Sequence, residues 1–354
     1  MTITYEDFYR TLKPLGDPVT DAVVTELLDS GQVDNVNKLF RTFATADEGV
    51  PAEAPSVLRD YLESTRKFPD WMDKEKLADT DEFFKHHKTP AAVVQATAGL
   101  VGTYLSPMGA KTLHSTHTLD RPARRLSQST RLFMGMGDTD AFRPQSKLLP
   151  TCQKVRLVHA AIRQLHLPSG KWDLQNDGMP VSQLYAAGAT LVFSVGTLDA
   201  MARIGVTTTK SEQEGYFYAW RIIAHWLGIP DDVLDMDATE GHALWDSARD
   251  HEWGPTEAGA ILTKGCIELY ESYLPPGMKG AVPAFLRQAL SDKYADMVQV
   301  PTSGYDLGAK TAAAGAGLLL NTPLTKNVVS VEKVGREALT ARHDTEPQMT
   351  DKIE

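Results

Sequence analysis

The chain has 354 residues and a formal net charge of −10, with 42% hydrophobic and 23% charged residues. This composition is ordinary for a globular protein with a sizeable core. The acidic balance argues against sequence-independent nucleic-acid binding, which needs a basic surface, and against electrostatic docking on an anionic membrane. Two cysteines, Cys152 and Cys266, are too few for a disulfide framework or a thiolate-rich metal cage.

No segment has the pattern of an export signal or a membrane span. The first residues, Met1 to Leu12, contain acids and lack an apolar signal core, so we expect a cytoplasmic protein. The longest apolar stretch, Leu184 to Ile204, is interrupted by polar and charged residues such as Asp199 and Arg203. A spanning helix needs about 20 predominantly apolar residues. We therefore predict that this stretch is a core helix.

Apolar residues recur at helical spacing along the chain and strand patterns are nearly absent, so we predict an all-α fold. The first predicted helix opens at Asp17-Pro18, and Pro51 to Pro55 is predicted to be a loop. The later predicted helices are Val33–Phe43, Lys74–His87, Ala91–Leu105 headed by Pro90, Ala123–Met136, Cys152–Leu167, Ser182–Ile204, Glu212–Leu227 with a capping box of Ser211 and Glu214, Thr239–Asp250, Thr256–Tyr273 and Pro283–Met297.

The domain organisation follows from a change in composition near the end of the chain. Residues 1–320 contain no internal repeat and no clear linker, which favours one large globin-like helical domain and a monomer. From Asn321 onward the chain is polar, and Asp344 to Glu354 has the composition of a disordered segment. We predict a flexible C-terminal extension over residues 321–354.

The helix Cys152–Leu167 has the most informative face. At about 100° per residue, His159 lies beside an apolar stripe, and Arg156 and Arg163 share one angle on the far flank of His159. The stripe consists of Val155, Val158 and Ile162. A neutral imidazole is a ready metal ligand, and two neighbouring guanidinium groups need carboxylates or phosphates. A haem fits this face, because iron takes an axial imidazole and the propionates pair with Arg.

The pattern of this helix alone also fits a purely structural role. In that alternative, His159 bonds a carbonyl group, and the two arginines pair with Asp or Glu of neighbouring helices. The helix Ala123–Met136 is similarly open to two interpretations. Its polar face of Arg125, Gln128 and Ser129 could line an oxygen or substrate pocket, or it could face solvent.

Other chemistries have weaker support. A di-iron carboxylate bundle needs Glu-x-x-His on two helices, and the chain has none. His114 and His117 stand at i, i+3 without a nearby acid, and the adjacent His86 and His87 are predicted to point to different faces. Cys266 sits in a regular helical pattern, which disfavours a thiolate-ligated haem. No nucleophile elbow and no phosphate-binding glycine loop occurs.

At VRLVHAAIR, residues 155–163, the chain resembles the family of latex-clearing proteins and the mycophenolate-pathway oxygenase. The resemblance extends over roughly Asp17 to Val300. Further segments that carry it are DPVTDAVV, VNKLFRTF, FPDWMDKEKL, GAKTL, WDLQNDGMPVSQ, TLVFSVGTLDAMARIG and YFYAWRIIAHWLGIPDDVL. Each motif is moderately specific, and their order along the chain strengthens the match.

The resemblance implies an all-helical domain that encloses one b-type haem, with His159 as the proximal iron ligand and Arg156 and Arg163 flanking it. It also implies that these two arginines either bind the haem propionates or support the helix. The family also has a distal Arg-x-x-x-Thr segment 34 residues before the proximal His. Arg125 stands 34 residues before His159, so the matching segment runs from Arg125 to Ser129 and places Gln128 beside the iron.

The function implied by the resemblance is a haem-dependent oxygenase that acts with O2 on an apolar, isoprenoid or polyketide-like small molecule. Arg125, Gln128 and Ser129 would be its catalytic residues and would orient bound oxygen. At the position of Gln128, latex-clearing members have a lysine. These members also have an acidic residue upstream of the distal arginine, and the segment from Tyr104 to Leu119 contains none. Cleavage of a C=C bond is therefore left open.

Two alternatives to this function follow from those departures. One is a haem peroxidase, peroxygenase or tailoring oxidase that uses peroxide or O2 without C–C cleavage. The other is a non-catalytic haem carrier or sensor. Rubber itself is not expected as the substrate, because attack on an external polymer requires export.

Overall fold

A computed structural model describes residues 4–40, 49–115, 132–272, 274, 277–308 and 349. In this part of the chain every regular element is a helix, which confirms the predicted all-α fold. The helices are α1 (Tyr5–Leu12), α2 (Pro18–Asp29), α3 (Val33–Leu39), α4 (Ser56–Ser64), α5 (Lys74–Val94), α6 (Leu100–Tyr104), α7 (Pro107–Ser115), α8 (Leu148–His166), α9 (Leu174–Asp177), α10 (Gln183–Phe193), α11 (Val195–Arg203), α12 (Lys210–Trp226), α13 (Ala238–Glu252), α14 (Glu257–Ser272), α15 (Ala281–Leu290) and α16 (Asp292–Met297).

The main core is built on the long contact between α5 and α12. The rings of Phe83 on α5 and Tyr216 on α12 stack with centroids 4.4 Å apart. Thr80 Oγ1 donates a hydrogen bond of 2.7 Å to the carbonyl of Gly215. A Cβ atom on Gly215 would lie 2.4 Å from the backbone of Asp79, so only glycine permits this approach of the two helices.

Pro90 does not begin a new helix, so that prediction is wrong. A single helix, α5, runs from Lys74 through Pro90 to Val94 and continues as a π-helical turn, Gln95–Gly99, into α6. A proline inside a helix removes one backbone hydrogen bond and costs about 3 kcal/mol. Buried residues stand on both sides of Pro90, and their packing offsets this cost.

The predicted long helix Ser182–Ile204 is divided at Ser194, where ψ is −92°. Ser194 Oγ donates to the Thr190 carbonyl at 2.7 Å, and the Tyr216 hydroxyl donates to the Phe193 carbonyl at 2.8 Å. These side-chain bonds compete with the helical backbone bonds. By length and composition Gln183–Arg203 could cross a membrane, but more than half of it is buried in the protein, as in the predicted core helix.

Two further predicted helix boundaries are wrong. The capping box of α12 consists of Thr209 and Glu212, whereas Glu214 accepts a hydrogen bond from the Ala238 backbone at the start of α13. The predicted helix Pro283–Met297 is divided at Ser291, which has φ 75°. The local sequence permits either position for each of these boundaries, and the packing of the helices decides which one forms.

The C-terminal extension predicted over residues 321–354 lies outside the described residues except for Met349, and the boundary near residue 320 stays a prediction. Met349 is only 5% exposed and packs in the cluster formed by α2, α3 and α4. The Asn37 side chain donates to the Met349 carbonyl at 3.1 Å and accepts from the Met349 N–H at 3.0 Å. Met349 is therefore held by contacts with α3, and the prediction for the rest of the extension lies outside the described residues.

The close approach of α5 and α12 predicts that any side chain at position 215 destabilises the folded protein. We expect Gly215→Ala to lower the free energy of unfolding by about 2 kcal/mol, because the added methyl group meets backbone atoms that cannot move aside. Urea denaturation measures this change. Gly265→Ala in α14 is the matched control, since its Cβ would meet nothing within 4 Å. Equal stability of the two variants would contradict the packing argument.

Candidate functional site

Helix α8 presents three different surfaces. One packs against α2, α3 and α4 through Leu157, Ala160 and Ala161. A second joins the main core through Leu148, Leu149 and Cys152. The third carries Val155 and His159, which are partly accessible although α8 runs through the interior. After His166 a single 3-10 turn and Gly170, with φ 68°, end the helix as predicted.

His159 has no hydrogen-bond partner among the residues that the structure describes, so the alternative of a carbonyl-bonded core histidine is not what is found. Burial and the positive charge of Arg163 lower its pKa to about 4, although the Asp17 carboxylate opposes the shift. The imidazole is therefore neutral at pH 7. A neutral, unpartnered imidazole on an accessible surface has a lone pair available for a metal ion.

Arg156 is held by Asp17, the N-cap residue of α2. Its Nε and Nη2 atoms donate to the two carboxylate oxygens, the second at 2.9 Å. Burial alone would raise the pKa of Asp17, but the hydrogen bond and charge of Arg156 outweigh burial and hold this pKa below its usual range. This bidentate pair is the strong, directional form of a carboxylate–guanidinium contact.

Arg163 is 2% exposed and makes three contacts. Its Nε donates to Asp21 at 2.7 Å, its Nη1 to the Val181 carbonyl at 3.0 Å and its Nη2 to the Thr20 hydroxyl at 3.4 Å. Val181 has φ 44°, a left-handed conformation that β-branched residues rarely adopt. Arg163 therefore ties α8 both to α2 and to a strained residue before α10.

The structure changes the interpretation of these two arginines. Both guanidinium groups pair with carboxylates at the start of α2, which is the pairing with a neighbouring helix that the structural alternative predicts. The contact with haem propionates stays a prediction. Desolvated cations require a countercharge, and nearby aspartates supply it more directly than a cofactor would.

The predicted catalytic residues Arg125, Gln128 and Ser129 lie outside the described residues, as does His117. The structure begins again at residue 132, where residues 132–135 are helical. Phe133 packs on Phe193 with ring centroids 4.7 Å apart and lies 6.4 Å from the Trp220 ring. Phe133 therefore faces the core, and the roles of the three polar residues stay predictions.

His166 is a site residue that the sequence reasoning missed. It stands seven residues after His159, which places it on the same side of α8 about 10.5 Å further along. Its Nε2 lies 2.9 Å from Ser115 Oγ, and that hydroxyl donates to the Thr112 carbonyl at 2.7 Å. The other ring nitrogen, Nδ1, is buried without a hydrogen-bond partner among the described residues. The i, i+7 spacing of the two histidines was the available signal.

His86 and His87 do not diverge, so that prediction is wrong. His86 Nδ1 lies 3.1 Å and His87 Nε2 3.2 Å from the same oxygen, Oε1 of Glu212. The reason is that Glu212, at the start of α12, lies between the two rings, while its second oxygen accepts from the Thr209 N–H at 2.7 Å. In the described part of the chain no group of three or more His, Cys, Asp or Glu could hold a metal ion.

A cavity of about 630 Å³ opens between α1, α7, α10 and α13. Its wall includes Val181, whose carbonyl accepts a hydrogen bond from Arg163, and the adjacent Ser182. It also includes Trp172, whose ring centroid lies 4.7 Å from that of His166. The cavity is therefore connected to α8 only indirectly, through Trp172 and Val181, and no residue of α8 lines it.

Comparison with known proteins identifies the relatives of this chain. The family described as ER-bound oxygenase mpaB/B′ and rubber oxygenase, catalytic domain, matches residues 84–318. Rubber oxygenase of Streptomyces sp. (strain K30) is 26% identical over 287 residues, which are 80% of this chain and 70% of that protein. The solved structure of latex clearing protein LCP in the closed state has a TM-score of 0.76 at 22% identity, over 93% of this chain and 91% of that one. This structural likeness confirms the fold.

The buried Asp17–Arg156 pair predicts a large loss of stability when its charge is removed. We expect Asp17→Asn to lower the free energy of unfolding by about 3 kcal/mol, because Arg156 then stays buried without a countercharge. Asparagine keeps the N-cap of α2, so the change reports on the ion pair. Urea denaturation measures it. Asp250→Asn, in an exposed pair with Lys293, is the control and should leave the free energy of unfolding nearly unchanged.

The Glu212 carboxylate predicts a pH-dependent contribution to stability. Burial alone would raise its pKa, but the Thr209 N–H, His86 and His87 lower it to about 2, from an ordinary value of 4.5. The pKa of Glu212 is lower in the folded protein than in the unfolded chain. The stabilisation by its carboxylate is therefore complete above pH 4.5 and is lost as the pH falls towards 2. We expect the stability difference between the wild type and Glu212→Gln to be large at pH 7 and to shrink below pH 4.5.

Urea unfolding at a series of pH values measures this difference. Glu82→Gln is a suitable control, because Glu82 is half-exposed and contacts His86 from the same helix. A difference between the wild type and Glu212→Gln that is the same at pH 3 and at pH 7 would refute the assignment.

Proposed function

The chain belongs to the family of mpaB-type and rubber oxygenases, and from this we propose that it uses a b-type haem and O2 to oxidise a C=C bond of an apolar, isoprenoid-like molecule. As a member of an oxygenase catalytic-domain family it is an oxidoreductase. The observation that carries the haem assignment is the neutral, unpartnered imidazole of His159 on the accessible surface of α8.

The residues around His159 suit a haem. His159 would be the iron ligand, and Val155 and Ile162 would form an apolar wall beside the ring. A haem bound there supplies an iron that takes up O2. His166 lies on the same side of α8, and its Nδ1 has no hydrogen-bond partner among the described residues. Arg156 and Arg163 are proposed as positioning residues, since their countercharges come from α2.

The charges around α8 keep His159 ready to bind a metal ion. The guanidinium of Arg163 disfavours protonation of the imidazole, so its lone pair is free at neutral pH. The two arginines also hold α8 against α2, which restricts movement of the helix that presents His159. Rigid support of this kind preserves the direction of a metal ligand.

The proposed substrate class follows from the family. The relative in Streptomyces is named for rubber, and a C=C bond in an isoprene unit is the feature that rubber shares with small isoprenoids. Arg125, Gln128 and Ser129 are proposed to orient oxygen. Membership of an oxygenase catalytic-domain family disfavours the carrier or sensor alternative. A peroxygenase or tailoring oxidase without C–C cleavage is the second candidate, favoured by the absence of an acid between Tyr104 and Leu119.

The haem assignment predicts the behaviour of a variant without the proximal imidazole. We expect His159→Ala to lose haem during purification, because no other described side chain on that surface offers a neutral ring nitrogen at the same place. The Soret band relative to protein absorbance measures haem content. The wild type is expected to convert isoprenoid double bonds to carbonyl products with O2.

His114→Ala is the matched control, because His114 is an exposed histidine on α7. It should keep the wild-type haem content. An unchanged Soret band in His159→Ala, or a wild-type protein that takes up no added haemin, would refute the haem assignment. Turnover with peroxide but not with O2 would favour the second candidate.

A further inference from the structure

A closed ring of side-chain contacts joins α7 to the end of α8 and to the loop that follows it. Lys111 and Ser115 stand at i, i+4 on α7, so they lie on the same side of that helix. Ser115 Oγ lies 2.9 Å from Nε2 of His166, in the last turn of α8. The Lys111 ammonium group lies 4.7 Å from the centre of the Trp172 ring and pairs with Asp177. The rings of His166 and Trp172, with centroids 4.7 Å apart, complete the ring of contacts.

The contact with Ser115 is what the imidazole of His166 supplies to this cluster. His166 is 3% exposed, and its Nδ1 has no hydrogen-bond partner among the described residues. A buried polar atom without a partner destabilises the folded state. An apolar ring could pack on Trp172 without that penalty, so packing alone does not account for a histidine at this position.

Ser115 marks the end of α7 in the part of the chain that the structure describes. Its hydroxyl donates to the Thr112 carbonyl at 2.7 Å, which holds the serine side chain against its own helix while it contacts His166. Arg125 stands ten residues beyond Ser115 in the sequence. The place where α7 ends is therefore the place from which the chain continues towards the residues proposed to orient oxygen.

Helix α8 is itself held in place by α2. Two largely buried ion pairs join arginines of α8 to aspartates of α2. His159 lies between those arginines, and His166 follows it by seven residues, about two turns further along the same side of the helix. The contact with Ser115 therefore relates the end of α7 to a helix whose position is already fixed.

We propose that Ser115 and His166 are positioning residues for the oxygenase reaction, a proposal that rests on the proposed function. Their hydrogen bond sets where the end of α7 lies relative to the helix that presents His159. The polypeptide that leads to Arg125 therefore starts from a place that is fixed relative to the proposed iron ligand. Ser115 and His166 take no part in the chemistry, because they act through the residues that they hold in place.

Hydrogen–deuterium exchange tests the positioning and needs no haem. We expect Ser115→Ala and His166→Phe each to raise the exchange rate of the amides just after Ser115 by about fivefold or more, because the end of α7 loses its contact with α8. Phenylalanine keeps a ring packed on Trp172, so this variant removes the hydrogen bond alone. Ser115→Thr retains a hydroxyl and His166→Gln a side-chain N–H, and both should exchange as the wild type does.

The infrared stretching band of carbon monoxide on the reduced haem tests the link to the reaction. The frequency of this band depends on the polar groups around the bound molecule, so it changes when groups that would orient O2 change position. We expect a displaced or an additional band in Ser115→Ala and in His166→Phe, with haem content unchanged. The double variant should show no larger change than either single one, because both remove the same hydrogen bond. Ser115→Thr and His166→Gln should keep the wild-type band.

Ser64→Ala is the matched control, because the Ser64 hydroxyl donates to the Tyr61 carbonyl at 3.1 Å at the end of α4, as that of Ser115 does within α7. It should leave both measurements unchanged. Unchanged exchange or an unchanged carbon monoxide band in Ser115→Ala and His166→Phe overturns the proposal, as do threonine and glutamine variants that behave like these two. Failure of the proposed function is distinguishable, because a wild type that takes up no haem refutes it whatever the exchange rates are.

Discussion

The two ion pairs between α2 and α8 are the constraint on which the site depends. Asp17 with Arg156 and Asp21 with Arg163 join the start of one helix to the middle of another across more than 130 residues of sequence. Each pair is largely buried, so neither member can be removed without leaving a desolvated charge. The same contacts fix how far α8 is rotated about its axis, and this rotation determines which side chains face α2 and which remain accessible.

The electrostatic state of His159 follows from this arrangement. Burial and the charge of Arg163, one turn away, lower the pKa of the imidazole and keep it neutral, while Asp17 partly offsets that effect. Arg163 also extends beyond α8 to the Val181 carbonyl and holds a backbone conformation that valine alone would avoid. Val181 in turn lines the cavity in front of α10. One guanidinium group therefore acts on the proposed metal ligand and also holds the backbone before α10.

The arginines also show where pattern-based reasoning reaches its limit. The sequence places Arg156 and Arg163 at the same angle on α8, which correctly indicates that both need anions. It does not indicate whether the anions are propionates or carboxylates, because that depends on residues brought close by folding. Similarly, adjacent helical positions are about 100° apart, yet the rings of His86 and His87 both contact Glu212, because this side chain from another helix lies between them.

The sequence by itself determined the helical class, most helix positions and the motif that relates this chain to its family, since apolar periodicity and short motifs are local properties. It also determined that His159 stands beside an apolar stripe. Only the tertiary structure decided the partners of the arginines, the continuation of α5 through Pro90, the burial of Met349 and the unpartnered nitrogen of His166. Each of these depends on contacts between residues distant in the chain, whose packing energies exceed the local preferences that a sequence pattern expresses.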